Sequence, residues 1–145
     1  AAAKEATVAQ LRRGADVIIH NVDGASFGVF QAVREAVDAG GVAWALGMNG
    51  NQNDVVPEVI LGSAVIRIAD AFRETAVAWQ AGEVGGASIY AGSSTDIVDF
   101  VINPVLADRI PARLIAAMQE ARARVRSGEL KVPSVPFVEG EPGAS

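Results

Sequence analysis

Four side-chain amides fall within five residues, Asn49, Asn51, Gln52 and Asn53, inside the stretch "GMNGNQNDVVP". An almost wholly apolar run, Val42 to Leu46, precedes them, and Val59-Ile60-Leu61 follows. Each amide offers a donor and an acceptor and does not titrate. Such groups read hydroxyls, carbonyls and ring nitrogens of neutral polar ligands without adding charge. The plainer reading is that Asn-Gly and Asn-Asp pairs build turns. Turn building accounts well for Asn49-Gly50, whereas Asn51 and Gln52 side by side point to ligand contact. Phe27 is the better candidate for a stacking face, because it is expected in the loop ahead of a helix. Phe30 and Trp44 read as core.

Other chemistries find less support. The one histidine, His20, stands at the end of an apolar run near Asn21 and Asp23. With Ser26 it would make a formal nucleophile–base pair, but the simpler expectation is a strand-end residue with a satisfied hydrogen bond. The nucleophile elbow, the phosphate loop and the dinucleotide fingerprint are all missing. "DGASFG" carries Gly24 and Gly28 and opens a helix, so its amides are placed to meet an anion or a ligand oxygen. "NGNQND" resembles an oxygen-rich calcium loop without its bidentate glutamate. No metal, no cofactor and no catalytic residue is therefore expected. With no cysteine, disulfides, thiolate zinc sites and cysteine nucleophiles are excluded.

The elements that must position these groups follow from periodicity. A helix–Gly–strand–polar-loop unit occurs twice, as "VAQLRRGADVIIHNVDG" (8–24) and "VREAVDAGGVAWALGMNG" (33–50). Gly14 and Gly40-Gly41 stop the helices. Strands are expected at 16–19 and 42–46, with a crossover helix at 27–39. Near-continuous apolar strands suit a parallel sheet covered on both faces. A right-handed crossover makes the two strands parallel, so the loops His20–Ser26 and Met48–Asp54 should face one crevice at the carboxyl edge.

Further on, a short strand is expected at 58–61. Ser63 would then cap a helix running from about 64 to 81, with Val65, Ile68, Phe72, Ala76 and Trp79 as its apolar stripe. Ala87 to Ala91 is a strand candidate, and "DIVDFVI" (96–102) another. Pro104 and Pro111 bracket a turn. Pro111 opens a helix to about Ser127, with Leu114, Met118, Ala121 and Val125 as its buried stripe. Lys131 to Ser145 is an extended tail.

The 145 residues suffice for a sizeable core, half of them are hydrophobic, and the net charge is −5. No basic face for nucleic acid is evident; Arg122, Arg124 and Arg126 spread around a helix as a solvated face. No apolar run approaches the ~20 residues of a membrane span. The N-terminal stretch has no secretory h-region.

Three segments in this order, "AKEATVAQLRRGADVIIHNVDGASFGVFQAVREA", "ALGMNGNQNDVVPEVILGSAV" and "IPARLIAAMQEARARVRSGELKVP", resemble the basic membrane protein family of ABC-importer substrate-binding proteins, which includes purine nucleoside receptors. The resemblance runs from residue 3 to about 137. It implies an α/β fold of the type I periplasmic-binding-protein kind, an open parallel sheet flanked by helices, and here the C-terminal portion of a two-lobe protein. Residues 1–62 would be mainly second-lobe strand–helix–strand units. Residues 63–130 would be crossover segments and helices shared between the lobes, and 131–145 the tail.

The family's strand-end motif, Gly-Val-Asp-Ser-Asp-Gln, matches Gly47, Met48, Asn49, Gly50, Asn51 and Gln52, with both acids replaced by amides. A lysine usual in the family falls near Ile66. The resemblance therefore implies a small neutral polar ligand, such as a nucleoside, nucleobase or sugar-like molecule, held by Asn21, Asp23, Ser26, Phe27, Asn49, Asn51 and Gln52. It also implies an ABC permease partner and a periplasmic or cell-surface location, lipid-anchored in the full-length protein. A full member is about twice as long. The stretch thus reads as a proteolytic fragment, one piece of a split chain or a partial sequence. A companion chain or a second copy is expected to cover helix 64–81. A ligand-sensing receptor or regulator domain of the same fold is the alternative, and a small α/β enzyme comes third.

Overall fold

A computed structural model describes residues 1–86 and 95–133. Helix α1 (Ala2–Arg12) leads to strand β1 (Val17–Ile19), then a 3-10 turn (Asp23–Ala25) and helix α2 (Ser26–Asp38). Strand β2 (Trp44–Gly47) and strand β3 (Ile60–Ile66) follow, then helix α3 (Ile68–Gln80) and strand β4 (Val98–Ile102). A 3-10 segment (Pro104–Arg109) and helix α4 (Ala112–Arg126) complete the order.

The strands form one open sheet in the order β1-β2-β3-β4. β1, β2 and β3 are mutually parallel, and Val17 stands opposite Trp44, Ile19 opposite Leu46. The first crossover thus runs as the two repeated units require, and α2 lies between its strands. β4 runs antiparallel to β3, with Ile66 opposite Val98 and Gly62 opposite Ile102. The physical reason is visible in α3, which carries no buried residue. It leaves the sheet without packing back across it, so the chain re-enters at the edge it left.

One core lies between α2 and the sheet. Ile18, Val29, Phe30, Val33, Ala43, Ala45, Val59 and Ile60 are buried together, and Ala3 and Leu11 of α1 and Val37 of α2 pack against them. Both faces of the sheet were expected to be covered, yet among the described residues only this one is. On the other face Val17 and Ile19 stay exposed, Ile19 by 68%. Trp44 is half-buried there, with the Arg109 guanidinium 6.0 Å from its ring.

Four expectations need correction. The third strand is longer and later than 58–61, and Ser63 and Val65 belong to it. Ser63 caps no helix; it is fully buried, and Arg67 occupies the cap position of α3. Helical spacing of Val65 and Ile68 misled because this strand pairs on both sides, and pairing outweighs local periodicity. Gly62 permits that pairing: a Cβ there would meet the Phe100 ring at 2.6 Å and the Val101 carbonyl at 2.8 Å.

The stripe on α4 is not buried either. Leu114 is 47% and Met118 37% exposed, and the helix carries no buried residue. Ion pairs tie it to the sheet edge: Arg122 to Asp99 at 2.7 Å, and Arg126 to Asp96. The arginines are thus partly solvated and partly paired. Pro111 stands at the cap rather than as the first helical residue. The strand candidate 87–91 and the tail from 134 onward lie outside the described residues.

Candidate ligand site at the carboxyl edge of the sheet

β1 and β2 are parallel neighbours, so the segments that follow them emerge side by side. Two side-chain hydrogen bonds join these loops. Asn49 Nδ2 donates to Asp23 Oδ1 at 2.9 Å, and Gln52 Nε2 donates to Ser26 Oγ at 2.9 Å. The loops expected to share a crevice therefore touch.

The amide orientations follow from chemistry. A carboxylate only accepts, so Asn49 must turn its NH2 toward Asp23. Gln52 Oε1 accepts the Met48 N–H at 3.0 Å, which leaves Nε2 for Ser26. The Gln52 N–H donates to Ser63 Oγ at 3.1 Å, and Ser63 Oγ donates to Asn53 Oδ1 at 2.7 Å. Asn53 Nδ2 in turn donates to the Val101 carbonyl at 3.2 Å. A continuous chain of hydrogen bonds runs from the start of α2 through the amide loop and β3 to β4.

Asn49 has φ 68° and Asp23 φ 44°, the two non-glycine residues with positive φ among the described residues. Asn and Asp tolerate this region better than other residues. The Asn49 carbonyl accepts the Ile66 N–H at 3.0 Å, which pins the loop to the end of β3. Gly47 is needed for closeness: a Cβ would meet Gln52 Cβ at 3.0 Å and Ser63 Cβ at 3.1 Å.

The expected site residues divide by exposure. Asn21, Asp23, Phe27 and Asn51 are exposed, Asn49 and Gln52 are half-buried, and Ser26 is fully buried. Phe27 is 62% exposed, but in the first turn of α2 rather than in the loop ahead of it. The helix begins earlier than expected, at Ser26. Asn51 Oδ1 accepts the Asn53 N–H at 3.1 Å, a local turn bond. Asn21 makes no side-chain hydrogen bond among the described residues. Sequence reasoning missed Ser63 and undervalued Asn53, both buried. The signal for Asn53 was its place in the amide run; Ser63 had none.

His20 departs from expectation. It is buried and its ring meets Phe30 edge-on at 5.2 Å, yet neither ring nitrogen has a hydrogen-bond partner. Burial pushes its pKa below 6.5, and the nearby Gln52 amide opposes that shift. We give burial the greater weight, because both polar ends of the Gln52 side chain are committed to Met48 and Ser26. Ser26 Oγ accepts from Gln52 and is sealed from solvent, so it is not presented as a nucleophile.

Arg67, the residue after Ile66, brings a cation to this edge, but it is engaged with Asp99 at 3.2 Å and with the Asp96 carbonyl. No group of three or more metal-ligating side chains occurs among the described residues. No helix among them is long and apolar enough to cross a membrane.

The family description "Bmp: ABC transporter substrate-binding protein PnrA-like" matches residues 1–130. The chain belongs to this family. No curated protein matches it in sequence. Among solved structures it is similar to an ABC transporter system solute-binding protein from Aeropyrum pernix K1, at 19% identity and TM-score 0.77. That match covers 97% of this chain and 45% of the other. It is also similar to a transcriptional activator of the comK gene from Bacillus halodurans, at 22% identity and TM-score 0.70, covering 86% of this chain and 41% of that one. At these identities the likeness is one of fold. The Bmp chain described here spans less than half the length of either.

Proposed function

We propose that this Bmp-family chain forms one wall of a solute site in an extracytoplasmic ABC-importer binding protein, and that the solute is a small neutral polar molecule of the nucleoside, nucleobase or sugar type. The observation that carries this reading is the pair of loops at the carboxyl edge, joined by Asn49–Asp23 and Gln52–Ser26, with Phe27 open beside them. Asn21, Asp23, Asn49 and Asn51 offer polar atoms to the solute, and Phe27 offers a stacking face. Ser26 and Gln52 hold these groups in place from below. Closure of a second lobe over this edge completes the site and presents a surface to a membrane permease.

In this reading residues 1–62 belong to the second lobe, residues 63–130 cross between lobes, and the remainder is tail. The other lobe belongs to a companion polypeptide or to chain outside this stretch, and it covers α3, where Phe72 and Trp79 are 73% and 70% exposed. A lipid anchor on the full-length protein would hold it at the cell surface.

Calorimetric titration of the purified protein with nucleosides and simple sugars tests the reading. Binding without turnover, weakened about tenfold by Asn49→Ala through loss of one polar contact, is the expected result. Absence of binding to every member of both classes contradicts it. The second reading, a ligand-sensing regulator, is favoured by the comK activator's similar fold. It predicts the same binding and a helix-turn-helix or receptor segment elsewhere in the full protein.

A further inference from the structure

The hydrogen bonds within the loop pair leave a few polar atoms free for a solute. Gln52 commits both side-chain polar atoms internally, and the buried Ser26 Oγ accepts from one of them. Asn49 commits one of its two side-chain N–H groups to Asp23 Oδ1. What remains for a solute is two acceptors, Asp23 Oδ2 and Asn49 Oδ1, and the second N–H of Asn49, brought together by one hydrogen bond. Asn51 adds an NH2, since only its Oδ1 is used.

The charges at this edge point the same way. Asp23 is exposed in the 3-10 turn that precedes α2. Asp54 is exposed on the facing loop. Arg67, which follows Ile66 at this edge, is turned to Asp99 and Asp96. An incoming anion would meet the Asp23 carboxylate, with the Arg67 guanidinium already paired.

We propose that Asp23 sets the charge specificity of the site, accepting hydroxyl or N–H donors of an uncharged solute and turning away its anionic forms. The proposal rests on these loops being a solute site, and it adds which residue discriminates and against what. A carboxylate acceptor strengthens a hydrogen bond relative to an amide acceptor. It also repels a phosphate or carboxylate in a partly desolvated cleft. Asp23→Asn keeps the shape and an acceptor for Asn49, removes the charge and turns the second acceptor into an N–H donor.

The test compares guanosine with guanosine 5′-monophosphate by titration calorimetry, using the chain together with any polypeptide that co-purifies with it. The unmodified protein should bind guanosine and disfavour the monophosphate by tenfold or more. Asp23→Asn should weaken guanosine about tenfold and shrink the discrimination to a few-fold. Asp54→Asn, removing the neighbouring exposed carboxylate, should change neither, and unchanged melting temperatures would show that both variants fold. Unaltered discrimination in Asp23→Asn, or an equal effect of Asp54→Asn, overturns the proposal while leaving the site reading in place. Failure of the unmodified protein to bind either compound overturns the proposal and the site reading for nucleosides together.

Discussion

Gln52 links three segments with three bonds: to Met48, to Ser26 and, through its backbone, to Ser63. Gln52→Ala strands the Ser26 hydroxyl in a buried place and should cost about 1–3 kcal/mol, read as a lower urea midpoint with an unchanged slope. Gly47→Ala forces a Cβ against Ser63 and Gln52 and should cost a similar about 1–3 kcal/mol by overpacking.

His20 gives stability a pH dependence whose sign is fixed. Its folded pKa lies below 6.5 because burial disfavours the charged ring. As pH falls through 6.5 the unfolded chain takes up the proton first, so stability drops until the folded ring also protonates. His20→Gln should flatten this part of a melting-temperature profile. A slope that persists in the variant would assign it to another group.

At this scale the amide run was legible because four polar residues interrupt an apolar pattern. What each amide does was not, since Gln52 looks the same in sequence whether it faces a solute or a serine. Burial of Ser26 decides it, and burial comes from where α2 begins.

At the scale of elements, the crossover from β1 through α2 to β2 was readable from repeated glycine stops and apolar strands. The boundary between β3 and α3 was not. Ser63, Val65 and Ile68 satisfy a helical spacing, while the strand is dictated by partners on both sides that only the sheet supplies.

α3 itself is amphipathic with nothing buried among the described residues. Phe72→Ser should therefore change the stability of the isolated chain by no more than about 0.5 kcal/mol. The same change should reduce concentration-dependent self-association in sedimentation, or binding of a companion polypeptide. A large loss of stability would mean the helix packs within this chain.

Asp99 joins α4 and the end of β3 to β4 by accepting from Arg122 and Arg67. Its own side chain is 9% exposed while those of Arg122 and Arg67 are 47% and 37% exposed. Asp99→Asn should cost on the order of 1 kcal/mol, since the freed arginines regain water. The loss should show as earlier detachment of α4 in hydrogen exchange.

At the scale of the whole molecule, an exposed sheet face, an unpacked α3 and matches spanning less than half of the similar solved structures support the proposal that a further lobe covers this chain. Composition alone could not show this, because half-hydrophobic content is ordinary whether the apolar surface is buried or not. The parallel pairing of β1 and β2 and the family were readable in the sequence, while the antiparallel β4 and the uncovered face needed the packing. Mass spectrometry of the purified protein, native and then denaturing, tests the central claim most directly. The account predicts a small uncharged solute of the nucleoside or sugar class released on denaturation, together with a second polypeptide or a longer parent chain. A solute-free 15.0 kDa chain, monomeric and stable by itself, would contradict it.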